Sequence, residues 1–241
     1  MNGRKRFIYS ANAVGVAVKV PPVEEFWACC SLPVCGGRGS CKAGPFQNSF
    51  LSFQSAEATA FGGVNPHGNI VSEARATVTK LNILSGLFAD KIDLGLKFTF
   101  DQNSQQLISV EVTEKPYTGL VIDGQNYDNV TMERAVADAA GRDHNAFRGN
   151  LPSLRPSAYH VQQTHQSAYT TLAVDPRARL RSMPQDHGFL DVPNFGRVYF
   201  GEWSEHLHRQ NITGLRVVLD TPTVKGEIVI ADPGGNGQFY P

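Results

Sequence analysis

The chain has 241 residues, of which 41% are hydrophobic and 18% charged, and its 22 basic residues equal its 22 acidic ones. A neutral chain lacks the positive surface that binds phosphates, which excludes a typical nucleic-acid-binding protein. It contains no long apolar run of the kind that spans a bilayer, which excludes a membrane-spanning helix.

The N-terminal segment predicts a strand. Valines alternate with other residues at positions 14–20, and Pro21-Pro22 ends the pattern. Basic residues at positions 4–6 could begin a signal peptide, but the stretch after them is interrupted by polar residues and has no continuous apolar core. We therefore expect no cleaved leader.

Alternation of apolar and polar residues predicts further strands with one buried and one wet face. It covers positions 56–60, 74–78, 92–100 and 108–112. The turn-like residues 101–104 between the last two segments predict a hairpin.

The second half of the chain predicts shorter strands. A favoured tight-turn pair, Asp123-Gly124, follows a short apolar stretch. Late strands are expected at positions 197–200, 215–219 and 227–230.

Three segments predict something other than sheet. Residues 131–140 predict one short helix, because Thr131 can cap a run of helix formers that Gly141 ends. Residues 142–188 are rich in His, Gln, Arg and Pro and predict a long irregular polar arm, with one short strand at 169–174. The tail, 232–241, is too rich in Gly and Pro for regular structure to be expected.

The pattern as a whole predicts one all-β domain over residues 1–241, mainly antiparallel. Many short strands with little helix favour a β-sandwich or jelly-roll-like fold over folds that alternate strands with helices.

Four cysteines lie close together in the sequence and are the most unusual local feature: Cys29, Cys30, Cys35 and Cys41. They could form disulfides within or between chains, remain free thiols, or bind zinc, although the spacing lacks the usual CxxC pairs. The redox state of the compartment decides between these alternatives.

A second candidate site is the pair His206 and His208, beside two glutamates. Residues two apart on a strand point the same way, so both imidazoles could meet one metal ion. Exposed loop histidines are the interpretation we prefer, because the segment HLHRQNITG lacks the glutamate that a cupin-like metal motif has after the pair. No phosphate-binding loop, dinucleotide-binding glycine pattern or HExxH motif occurs, and we expect no cofactor.

Aromatic residues indicate a role in assembly. Most of them are expected to pack in the core, but Phe239 and Tyr240 lie in the Gly-rich tail with no evident core of their own. Exposed aromatics on a tail suit docking onto a neighbouring copy of the chain.

Several segments together resemble a group of uncharacterised bacterial β-rich proteins and, more distantly, the choice-of-anchor P family of bacterial surface proteins. The segments are, in order, RFIYSANAVGVAV, LPVCGGRGS, FLSFQSAEATAFG, ARATVTKLNILSGLFADKI and YTGLVIDGQ. The resemblance implies a β domain at the cell surface or outside the cell, and it implies no catalytic residues.

These observations favour a non-enzymatic structural protein that self-associates, for example into a filament or another extended homo-oligomer. One alternative is a module that binds carbohydrate or another surface ligand through exposed aromatics such as Trp27 and Trp203. The other is a metal-dependent enzyme that uses His206 and His208.

Overall fold

A computed structural model of the chain describes residues 6–132, 168–171, 173–174, 189–206 and 209–240. The described residues form nineteen strands and no helix. The strands are β1 (Arg6–Val20), β2 (Val23–Ser31), β3 (Gly37–Ala43), β4 (Phe46–Gln47), β5 (Leu51–Phe53), β6 (Ser55–Val64), β7 (Ile70–Ile83), β8 (Leu87–Phe100), β9 (Leu107–Val112), β10 (Tyr117–Thr118), β11 (Val121–Ile122), β12 (Gln125–Asn126), β13 (Thr131–Met132), β14 (Ala168–Thr171), β15 (Ala173–Val174), β16 (Phe189–Val192), β17 (Gly196–His206), β18 (Arg209–Asp220) and β19 (Lys225–Tyr240).

The strands build two large antiparallel sheets. Sheet A has seven strands in the order β14-β17-β18-β19-β1-β2, with β16 also paired to β17. Sheet B has ten strands, in which β12-β11-β8-β7-β5-β4 form one path, β6 joins β7 to β3, and β9 and β10 pair with β8. A separate short ladder joins β13 to β15.

The hydrophobic core lies between the two sheets, as in a β-sandwich. Strands β1 and β19 of sheet A contact β7 of sheet B, and one buried cluster includes residues of both sheets. The hydroxyl of Tyr117 on sheet B donates to the carbonyl oxygen of Gly214 on sheet A at 2.6 Å. Such a bond satisfies two polar groups that burial would otherwise penalise, and it fixes how the sheets face each other.

Strand β8 confirms the predicted alternation. Every second side chain from Ile92 to Phe98 is at most 1% exposed. The residues between them face outward, where Asp93 pairs with Arg75 and Lys97 with Glu111. The hairpin to β9 and the tight turn at Asp123-Gly124 are also present.

Three predictions differ from the structure or lie partly outside the described residues. The alternation of β1 changes phase at Gly15, because Ala13 and Val16 are both fully buried and Val14 is not. Thr131–Met132, predicted to begin a helix, form β13 instead, and residues 133–140 lie outside the described residues. The predicted arm is described only at β14 and β15, which lie where a short strand was expected.

The prediction that the tail lacks regular structure is wrong, because residues 232–240 complete β19 and pair with β1. The glycines are compatible with a strand because neighbouring side chains occupy the space above them. A Cβ at Gly237 would lie 2.0 Å from Cζ of Phe7, and one at Gly234 would lie 1.9 Å from Oδ1 of Asn211. Only glycine leaves room for these neighbours.

Candidate functional site

The two sheets end on the same side of the sandwich in the edge strands β2 and β3. Among the described residues, β2 pairs only with β1, and β3 pairs only with β6. A link of five residues, 32–36, joins the two strands and holds their edges together. A Cβ at Gly39 would lie 3.2 Å from the carbonyl oxygen of Ser31 and 3.9 Å from Cβ of Cys30, so the edges touch.

This edge, which we call the β2–β3 edge (residues 23–43), exposes apolar side chains. Phe26 on β2 is 64% exposed, and Val34 in the link is 66% exposed. Strand edges carry backbone N–H and C=O groups that can pair with another strand. Exposed apolar side chains beside an unpaired edge are typical of a docking surface.

The β2–β3 edge also carries opposite charges on its two strands. Glu24 and Glu25 lie on β2, whereas Arg38 and Lys42 lie on β3, and all four are exposed. Arg38 lies 5.2 Å from the centre of the Phe61 ring, and Lys42 contacts Glu57 at 3.2 Å. Both contacts leave the cations facing solvent, where they can meet the acidic strand of another molecule.

The structure places all four predicted cysteines at this edge as free thiols. Cys29 and Cys35 are exposed, whereas Cys30 and Cys41 are partly buried. Burial raises the pKa of Cys29 and of Cys30, and the nearby Cys41 raises both further, because two thiolates would repel each other. Within the described ranges, no group of three or more His, Cys, Asp or Glu residues is arranged to hold a metal ion.

Trp27 packs against the core at the inner side of the same edge. Its ring centre lies 4.5 Å from that of Phe46 and 5.8 Å from that of Phe53. The expectation that most aromatics pack in the core is confirmed for these three. Trp27 is partly buried, and its predicted role in binding a sugar stays a prediction.

A second polar cluster lies on the outer face of sheet A and was missed by the sequence analysis. The carboxylate of Glu202 on β17 accepts two hydrogen bonds from the guanidinium of Arg216 on β18, at 2.5 and 2.7 Å. Both side chains are only 6% exposed. The guanidinium also lies 3.8 Å from the centre of the Tyr199 ring and 3.6 Å from Oε1 of Glu227. Although burial opposes the charge, these partners raise the pKa of Arg216 and keep it protonated.

Asp232 on β19 adjoins this pair. Its carboxylate accepts a hydrogen bond from the hydroxyl of Thr213 at 2.9 Å. Burial raises the pKa of Asp232 to about 6; the Thr213 bond lowers it, and the charge of Glu202 raises it again. Nearby, Oδ1 of Asn211 is buried without a hydrogen-bond partner among the described residues.

The remaining predicted site residues fall elsewhere. The side chains of Trp203, His206 and Tyr240 and all of His208 lie outside the described residues, so the metal hypothesis stays a prediction. Phe239 has a core of its own after all, because its ring lies 4.9 Å from that of Phe7 and 6.5 Å from that of Phe100. The predicted role of Phe239 as an assembly contact assumed an exposed ring, whereas the structure shows this ring packed against two other rings of the same chain.

Comparison with known proteins shows which family the chain belongs to. A family model described as Domain of unknown function (DUF8256) matches residues 7–182. The chain belongs to this family. The matched range includes the whole β2–β3 edge and ends before β16, so the Glu202–Arg216 pair lies outside it. No curated protein and no solved structure matches the chain. The resemblance to choice-of-anchor P proteins stays a prediction.

Among the described residues, no helix is long and apolar enough to cross a membrane.

Proposed function

We propose that this protein is a non-enzymatic structural protein that self-associates through the β2–β3 edge. The observation that carries the proposal is the edge strand β2, which has one sheet neighbour among the described residues and exposes 64% of Phe26 beside it. Pairing with a second copy would satisfy the free backbone groups of β2 and cover this ring.

Charge supports a second copy as the partner. The chain is neutral overall, so no net repulsion opposes close association of two copies. A two-fold arrangement that sets β2 of one copy against β3 of the other brings Glu24 and Glu25 toward Arg38 and Lys42, twice in each dimer. Unlike charges across the interface favour this register over one that sets β2 against β2.

The proposal predicts that Phe26→Lys prevents self-association. Light scattering coupled to size exclusion should give the wild-type chain a mass above 26.3 kDa that rises with concentration. Phe26→Lys should stay at the mass of one chain, because a charge at the centre of the edge resists burial. Ile108→Lys is the matched control, because Ile108 is 40% exposed on β9, which β6, β7 and β8 separate from β3.

Two results would contradict the proposal. One is a wild-type protein that stays at the mass of one chain at the highest soluble concentration. The other is equal behaviour of Phe26→Lys and Ile108→Lys. Amide hydrogen exchange gives an independent measurement, since the amides of residues 23–31 should become more protected as the concentration rises.

A further inference from the structure

Cys30 and Cys41 both point into the space between the two sheets. Cys30 lies opposite Ala13 in the β1–β2 register, and Cys41 lies opposite Ala58 in the β3–β6 register. Residues directly opposite each other on antiparallel strands share a face. Ala13 and Ala58 are fully buried, so this shared face is the inner face of each sheet. Cys29, one residue away, is exposed on the other side of β2.

The two strands approach each other beside both cysteines. Gly39 precedes Cys41 by two residues and therefore shares its face of β3. A Cβ at position 39 would lie 3.9 Å from Cβ of Cys30, so Cys41 is the next residue along the face of β3 that adjoins Cys30. The charge of Cys41 also raises the pKa of Cys30, as expected of two thiols that lie near each other. Both thiols are free in the structure, so closing the bond requires a local movement of this edge.

We propose that Cys30 and Cys41 form a redox pair that closes a disulfide between the two sheets at the β2–β3 edge. The oxidant is a low-molecular-weight disulfide. The Cys30 thiolate attacks one of its sulfurs and releases the first small thiol, and the Cys41 thiolate then attacks Sγ of Cys30 and releases the second. Two protein thiols lose two protons and two electrons, and one small disulfide becomes two small thiols.

The bond would link sheet A to sheet B covalently and close a loop over residues 30–41. Such a loop removes conformations from the unfolded chain, which raises the unfolding temperature. For a chain of this length we expect a rise of about 5–10 °C. The exchange should proceed faster at pH 9 than at pH 7, because burial favours the unreactive neutral form of Cys30 at neutral pH.

The test oxidises the folded full-length chain with oxidised glutathione, alkylates the remaining thiols and maps the disulfides by mass spectrometry. A link between the peptide of Cys29 and Cys30 and the peptide of Cys41 is expected. Because the first two cysteines are adjacent, variants identify the partner. Cys30→Ser and Cys41→Ser should lose the link and the rise in unfolding temperature. Cys29→Ser and Cys35→Ser should keep both.

Three outcomes would overturn the proposal. They are glutathione on both cysteines without a link between them, a link to Cys41 that persists in Cys30→Ser, and a link that leaves the unfolding temperature unchanged. The proposal does not depend on self-association. Light scattering of the oxidised and reduced forms gives the mass separately, so a monomeric protein with the disulfide would refute only the proposed function.

Discussion

The buried pair of Glu202 and Arg216 gives the sharpest stability prediction. Glu202→Gln keeps the size of the side chain and removes its charge. The amide oxygen can still accept one hydrogen bond from the guanidinium, but the amide NH2 cannot accept the second, and the compensating negative charge is lost at a site where only 6% of the Arg216 side chain is exposed. Glu227 remains at 3.6 Å, but it is 36% exposed and compensates only part of the loss.

The expected cost follows from this burial. Breaking a buried ion pair by removing one partner costs about 3–5 kcal/mol, because the other charge stays buried. The remaining contact with Glu227 favours the lower end of this range, about 3 kcal/mol. In a chain of this length, a loss of that size lowers the unfolding temperature by about 6–12 °C.

Urea unfolding at pH 7, followed by tryptophan fluorescence, measures the loss. Asp191→Asn is the matched control, because it breaks the ion pair of Asp191 and Arg197, whose side chains are 59% and 43% exposed. An exposed pair contributes less than about 1 kcal/mol. Replacing both Glu202 and Arg216 with Gln and Met should cost less than the sum of the two single changes. Equal small losses in Glu202→Gln and Asp191→Asn would refute the reasoning.

Two further changes test the outer face of sheet A and the glycine-rich strand. The pKa of Asp232 is about 6 in the folded chain and ordinarily 3.8, so the folded state holds this proton more tightly than the unfolded state. The free energy of unfolding should therefore fall as the pH rises from about 4 to about 6. Asp232→Asn should remove that fall and stabilise the chain by about 1–3 kcal/mol at pH 7, and parallel pH profiles of the two proteins would contradict this. Gly237→Ala should cost about 1–3 kcal/mol, because the new methyl group meets the Phe7 ring. Phe7→Leu should relieve part of that cost. Gln238→Ala, at an exposed neighbouring position, is the control. If Gly237→Ala lowers the free energy of unfolding no more than Gln238→Ala does, the strand is not tightly packed at Gly237.

The strands that could be predicted from the sequence are those whose two faces differ in polarity. In β8, burial of one face of sheet B forces an apolar residue at every second position, and that pattern is visible without a structure. The same logic located β6, β7 and β9. The alternation changes phase at Gly15 in β1, at Lys80 in β7 and at Asp90–Lys91 in β8.

The strand formed by the tail could not be predicted, because the side chains that pack above its glycines come from residues far away in the sequence. Glycine by itself disfavours strands, since it contributes no side chain to packing. In β19 the missing side chains are replaced by Phe7 from β1 and Asn211 from β18. Nothing local in residues 232–240 reveals that these two strands flank them.

The candidate site was partly predictable. The cysteines are recognisable because they are close in sequence, and Cys41 also lies near Cys29 and Cys30 in the structure, where its charge raises the pKa of both. Glu202 and Arg216 gave no such signal, because they meet only through the register of β17 and β18. A lone Arg inside the apolar segment LRVVL was the available clue, since a charge within a buried strand needs a partner.

The extent of the family match bears on which of these features other family members can share. Strand β1 lies between β2 and β19, so the sheet that ends in the β2–β3 edge is built on a strand outside residues 7–182. Four of its seven strands, β16 to β19, lie beyond that range, and their fully buried Leu215, Ile228 and Ile230 contribute to the core. A chain cut after residue 182 would leave β1 unpaired along one side and part of sheet B uncovered. Residues 7–182 therefore include the β2–β3 edge but not the strands β17, β18 and β19 that complete its sheet, and the Glu202–Arg216 pair belongs to those later strands.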